Sequence, residues 1–184
     1  MNTIPVRLPK KGSVLHVFLV IVSLSVCFYG AGCGYEKGPR CLVPDAEPGW
    51  QLVLEDTFSA PTLNRTLWET GYPWGRCWAP AYYTDGANLE FSGGCLRMIA
   101  RREPVTGFCF DWDEAGNFTP YYKDFAYTTG MVYGKQPFRY GYFECTFRVP
   151  EGKSFNAAFW LYGERACEID VFEILGSDTS DAQM

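Results

Sequence analysis

The sequence predicts an all-β fold, an antiparallel sandwich or barrel. Past Trp50, helical periodicity is weak and short stretches of alternating apolar and polar residues dominate. The chain's 19 Gly and 12 Pro supply turns between such stretches. With 47% hydrophobic and 20% charged residues, the composition suits one globular domain and excludes a disordered chain.

The first segment, residues 1–32, reads as an export signal. Arg7, Lys10 and Lys11 precede an apolar run from Val14 to Gly30, and small residues end it. An uncleaved membrane anchor is the alternative, but 17 residues are short for a span. Gly30-Ala31-Gly32-Cys33 also resembles the lipobox of bacterial lipoproteins, with Gly30 where Leu is usual. Cleavage there would make Cys33 the lipidated N-terminus and attach the chain to a membrane. Ordinary cleavage after Gly32 is the other outcome. Residues 33–49 are polar and proline-containing and read as a tether. The folded domain spans 50–184.

Losing residues 1–32 removes three positive charges, so the net charge goes from −5 to −8. Nucleic acid and anionic membrane surfaces are then disfavoured partners. The sole histidine, His16, leaves as well. A mature chain without histidine has no Ser-His-Asp triad, no Cys-His pair and no His-ligated zinc. Carboxylates, Lys, Tyr and Cys are the reactive groups left. Without Cys27 and a lipidated Cys33, six cysteines remain: Cys41, Cys77, Cys95, Cys109, Cys145 and Cys167. Their even number suits disulfides in an exported chain, and their pairing is open. Cys145 and Cys167 fall on predicted core faces and read equally as buried thiols.

In order, "WQLVLEDTF" from Trp50 alternates as a first strand, with Trp50, Leu52 and Leu54 on one face. "NLEFSGGCLRMIA" reads as a hairpin about Ser92-Gly93-Gly94. "TTGMVYGK" is another short strand. The stretch from Tyr140 alternates most clearly, with Phe143, Cys145, Phe147 and Val149 facing one way. "FNAAFWLYG" and "CEIDVFEILG" follow. Between Arg101 and Thr128 lies a long connection containing Asp111, Asp113 and Glu114. Their spacing is not that of an EF-hand, so an acidic surface turn is expected rather than a structural calcium site. No metal or cofactor is expected.

In "CEIDVFEILG" three carboxylates sit among residues suited to a buried strand. Alternation puts Cys167, Ile169 and Val171 toward the core and Glu168 and Asp170 away. Strict alternation would bury Glu173 unpaired, which is costly. One extra residue at Val171-Phe172, a β-bulge, returns Glu173 to the face of Glu168 and Asp170. The two glutamate Cα atoms are then roughly 13 Å apart at ~3.3 Å per step. Leaning side chains can close the carboxyls to about 5–5.5 Å, the separation of a retaining glycosidase. Asp170 between them raises the proton affinity of its neighbours. On "FNAAFWLY", Asn156, Ala158, Trp160 and Tyr162 share a face. Trp160 and Tyr162 would floor a groove beside the acids, and Trp74, Trp78, Tyr82 and Tyr83 are further sugar platforms or core residues.

These residues resemble glycoside hydrolase family 16, in its laminarinase-like form with the bulged E-x-D-x-x-E. The likeness runs in order through "LVLEDTFSAPTLNRTLW", "NLEFSGGCLRMIARRE" and "YTTGMVYGKQPFRYGYFECTFRVPEGKSFNAAFWLYG" to "EIDVFE". It implies a jelly-roll, concanavalin A-like sandwich with a concave cleft, acting as a monomer on a polysaccharide. It implies Glu168 as nucleophile, Glu173 as acid and base, and Asp170 assisting. Asn156, Trp160, Tyr162 and Trp74 are the substrate-binding candidates. β-1,3-Glucan is the favoured substrate. The first Trp of the family's W-P-A-F-W is Asn156 here, which weakens that choice. The family's sandwich has strands beyond the catalytic one, whereas Met184 is 11 residues past Glu173. A truncated, poorly stable sandwich is therefore expected. A sugar-binding module without catalysis and a structural envelope lipoprotein are the competing readings.

Overall fold

The structure, a computed structural model, describes residues 6–9, 18–24, 50–78, 80–112, 117–150, 155–163 and 167–176. Cys33, the rest of the tether, Asp113 and Glu114 lie outside them. Every regular element among the described residues is a strand. The strands are β1 (Val6–Pro9), β2 (Phe18–Leu24), β3 (Trp50–Leu54), β4 (Trp68–Thr70), β5 (Cys77–Trp78), β6 (Ala81–Tyr83) and β7 (Leu89–Ser92). They continue as β8 (Cys95–Met98), β9 (Val105–Trp112), β10 (Phe118–Phe125), β11 (Tyr127–Gly134), β12 (Tyr142–Phe143), β13 (Asn156–Gly163) and β14 (Glu168–Leu175).

A seven-stranded sheet dominates, in the order β14-β13-β2-β11-β6-β5 with β4 also on β11. Its pairings are antiparallel except β6 with β11. Beside it lie a β12-β1-β3 sheet and the hairpins β7-β8 and β9-β10. The apolar run read as an export signal thus supplies β2, which sits between β11 and β13. A β-branched apolar segment fits a sheet interior as well as it fits a leader.

The two faces of the large sheet carry two apolar clusters. One face packs Val132, Ala157, Phe159, Leu161, Phe172 and Ile174 against residues of the smaller sheets, including Leu54 and Met98. This is the sandwich core. The other face carries Met131, Ala158 and Trp160 with Tyr72 and Tyr83. β13 is buried from both sides, hence its near-continuous apolar sequence.

Three expectations shift. In β3 the partners of Val6 and Arg7 are Leu54 and Leu52, so Val53 is a bulge. Val53 therefore packs on the core and Leu52 is exposed, against simple alternation. The stretch from Tyr140 forms a ladder only at Tyr142–Phe143. Phe143, Cys145 and Val149 still pack against the core as expected, but Phe147 does not: it is exposed and stacks on Phe172 from outside. Side-chain alternation needs an extended path, not a paired neighbour. Burial pushes the Cys145 thiol up to about 12. The connection from Arg101 to Thr128 is not irregular: it folds as the β9-β10 ribbon. A disulfide joins Cys77 of β5 to Cys109 of β9, while Cys145 and Cys167 are free thiols. The expected Gly-Gly hairpin is present, with Gly93 and Gly94 at positive φ and Ser92 opposite Cys95.

Candidate active site

β13 and β14 build the site between them. Ala158 stands opposite Glu173, Trp160 opposite Asp170 and Tyr162 opposite Glu168. Phe159 and Trp160 are adjacent, yet their partners are Phe172 and Asp170. Val171 is therefore the extra residue, a β-bulge. Directly opposed residues share a face. Glu168, Asp170 and Glu173 thus lie on one face with Ala158, Trp160 and Tyr162. Phe172 and Ile174 turn into the core at 6% and 5% exposure.

Two neighbouring side chains depart from the expected inward direction. Ile169 is exposed, and Cys167 lies before β14 begins and is exposed too. β14 is the sheet's outer strand, and only its second half, from Val171 to Ile174, reaches the core.

Aromatic rings crowd the same face. Trp74 stacks on Tyr72, with centroids 5.1 Å apart at 16°. Its ring is 4.6 Å from Tyr162 and 6.3 Å from Trp160. Trp160 is only 9% exposed. It underlies Trp74 and Tyr162, and these two half-buried rings form the outer surface. Tyr72, which sequence reasoning passed over, is buried and its hydroxyl lies 3.3 Å from that of Tyr83. Burial holds the Tyr72 phenol far above its usual range, reinforced by Tyr83 and by the charges of Glu168 and Glu173. Tyr72 therefore shares the electrostatic field of both glutamates. It lies in "GYPWG", a turn with no period to flag it; positive-φ Gly71 and Gly75 bracket it.

The three acids differ in setting. The Glu168 carboxyl is raised, first by its partial burial, then by the charges of Asp170 and Glu173. A hydrogen bond with Asp170 adds to this. Asp170 is raised by burial and by Glu173, and lowered by its bond with Glu168. That combination puts the first proton of the pair on Glu168, donated to Asp170. Asn156 does not stand alone as a sugar contact. Its Nδ2 donates to Glu173 Oε1 at 3.1 Å, and among the described residues its buried Oδ1 has no partner. Among the described residues no group of three His, Cys, Asp or Glu is disposed to hold a metal. Asp111 is exposed and accepts from the Tyr121 hydroxyl. A carboxylate triad beside an aromatic floor can split a bond by general acid and nucleophile together.

A cavity of about 320 Å³ lies off the acids, between Trp74 and the β9-β10 ribbon. Among the described residues no helix is long and apolar enough to cross a membrane.

Comparison with known proteins bears on the family. The family model for glycosyl hydrolases family 16 matches residues 85–184. A beta-glucanase of Rhodothermus marinus is 27% identical over 96% of this chain and 58% of its own length. A Transmembrane 4 L6 family member 5 of Homo sapiens is 32% identical over 47% of this chain and 42% of its own. The chain spans about half the length of these curated relatives. No solved structure matches it significantly. The family match covers more than half of the residues and holds the whole carboxylate strand. The fold is accordingly that family's β-sandwich jelly roll, and the chain belongs to glycosyl hydrolases family 16.

Proposed function

We propose that the protein is an endo-acting, retaining β-glycosidase that cuts internal linkages of a polysaccharide, with β-1,3-glucan favoured. The observation that carries the reading is the bulge at Val171, which keeps Glu168, Asp170 and Glu173 on the aromatic face. The likeness to a beta-glucanase supports a β-glucan substrate. Glu168, ionised, attacks the anomeric carbon while Glu173 gives its proton to the departing oxygen. The glycosidic bond breaks and a glycosyl ester on Glu168 forms. Glu173, now a carboxylate, takes a proton from water, which attacks the same carbon and frees Glu168. Two inversions give net retention. Asp170 accepts a hydrogen bond from Glu168 only while Glu168 carries a proton, and Glu168 must lose that proton to solvent before it attacks. Tyr162 and Trp74 stack on the sugar's CH faces.

The test is release of reducing sugar from laminarin. Glu168→Gln should abolish release, by about 10³-fold or more as for a lost nucleophile, while laminarin binding persists. Turnover retained by Glu168→Gln refutes the assignment. Binding by the parent protein without any release would point instead to a sugar-binding module. We further propose an exported protein, released from residues 1–32 and lipidated at Cys33. Labelling with a radioactive fatty acid, lost in Cys33→Ser, checks this.

A further inference from the structure

We propose that Arg76 is a positioning residue: its guanidinium holds the turn that presents Trp74, and so sets glucan affinity without touching the glucan. The proposal rests on the glycosidase reading, in which Trp74 stacks on the sugar. Trp74 lies on a tight turn closed by Tyr72 and Gly75. The Tyr72 amide donates to the Gly75 carbonyl at 2.7 Å, and the Gly75 amide donates to the Tyr72 carbonyl at 3.0 Å. Such a turn fixes its own shape but not its placement on the sheet.

Placement comes from Arg76. One edge of β11 is taken by β2. The other receives β4 at Val132–Gly134 and β6 at Tyr127–Thr129. Neither strand reaches Gly130 or Met131. Thr70 ends β4 and Tyr83 ends β6, one on each side of this gap. Arg76 joins the two ends. Its Nη2 donates to Thr70 Oγ1 at 3.1 Å, and its Nη1 donates to the Tyr83 carbonyl at 3.2 Å. The Tyr83 amide donates to the Arg76 carbonyl at 2.9 Å, so Tyr83 is gripped through both its amide and its carbonyl. Tyr83 reaches back to the turn, its hydroxyl 3.3 Å from that of Tyr72, on which Trp74 stacks.

Charge and space complete the clamp. Asp85 lies 3.4 Å from Arg76 Nη2. Hydrogen bonds from Thr70 and Arg65 hold its carboxyl down to about 2, so it faces Arg76 as an anion at neutral pH. Thr70, 3% exposed, makes its bond to Asp85 at 2.5 Å. Gly71 leaves the path open. A Cβ there would lie 3.0 Å from Arg76 Cγ, and its φ is +76°.

The experiment is a double-mutant cycle on the full chain with laminari-oligosaccharides. It measures kcat and KM for the parent, Arg76→Met, Trp74→Ala and the double variant. Calorimetry gives Kd for the same set on the Glu168→Gln background. Met keeps the aliphatic stem and removes every guanidinium bond. Arg76→Met should raise KM and Kd about tenfold, with kcat changed less than about twofold. On the Trp74→Ala background the same change should cost less than about twofold. Fully additive losses would show that Arg76 acts apart from Trp74, as a sugar contact or as general support, and overturn the proposal. A fall in kcat with KM unmoved overturns it too. If Arg76→Met does not fold, Thr70→Val runs the same cycle, with about threefold expected for the lost hydroxyl. A parent that binds but releases no sugar ends the glycosidase reading, and the cycle in Kd alone then decides on Arg76. A parent that neither binds nor cleaves overturns both.

Discussion

Glu168 and Asp170 form a coupled pair, and the pair fixes a pH dependence. Glu168 must be ionised to attack, so the acidic limb of kcat/KM follows its ionisation. Partial burial, the charges of Asp170 and Glu173, and the bond to Asp170 all raise it. The limb should therefore lie above the usual glutamate range. Asp170→Asn removes one negative charge and the carboxylate acceptor, and each removal favours the ionised Glu168. The limb should move to lower pH. A limb that stays or rises contradicts the coupling. Asn156 gives a second prediction. Its amide holds Glu173 by a single bond, and its Oδ1 has no partner among the described residues. Asn156→Ala should lower kcat about tenfold with little change in KM. A rise in KM alone would make Asn156 a sugar contact. The acids were legible in the sequence because alternation left Glu173 no tolerable place in the core. Tyr72 was not, because its approach to them is made by a turn.

The bulge in β14 converts a count of residues into a choice of faces. Side chains alternate with period two. Residue 171 is unpaired, so deleting Val171 gives a regular ladder in which Glu168, Asp170 and Glu173 still share a face. The deletion variant should keep measurable activity, reduced by roughly 10- to 100-fold through altered carboxylate spacing. Inserting Ala between Phe172 and Glu173 turns Glu173 toward Phe159 and the core. That buries an unpaired carboxylate, at about 2 kcal/mol or more, and should abolish sugar release. Assay of the two variants side by side decides it: activity in the insertion and none in the deletion would show that alternation does not set the site. The same arithmetic explains what was misread elsewhere. Val53 is a bulge that nothing in "WQLVL" requires, since neither face of that segment carries a charge to be spared. The β9-β10 ribbon was read as a connection because Pro120 and acidic residues interrupt it. Pro120 is tolerated because, among the described residues, β10 pairs only with β9 and its other edge carries no ladder.

The large sheet sets a conflict between two uses of one apolar segment. Phe18–Leu24 pairs with Ile21–Leu24 facing Gly130–Tyr133 of β11, and the full strand facing Ala157–Gly163 of β13. The same residues form the hydrophobic part of the proposed leader. They are removed on export or they remain as a central strand, never both in one molecule. A leader is apolar enough to cross a membrane, and a strand buried on both faces needs the same composition. Sequence alone therefore leaves the choice to the partners it meets. Removing residues 1–32 would leave β11 and β13 each with an unpaired edge directly behind the carboxylate strand. Compared with the full chain, a protein beginning at Cys33 should show faster amide exchange at Met131–Tyr133 and Phe159–Tyr162. Its thermal midpoint should fall by about 10 °C or more, as several kcal/mol imply for a chain of this size. Intact mass of the exported protein gives the other half of the test. A mass starting at Cys33 with those edges exchanging quickly supports the leader. An exported protein that retains Phe18–Leu24, with β11 and β13 protected, makes the segment a structural strand and removes Cys33 as an anchor.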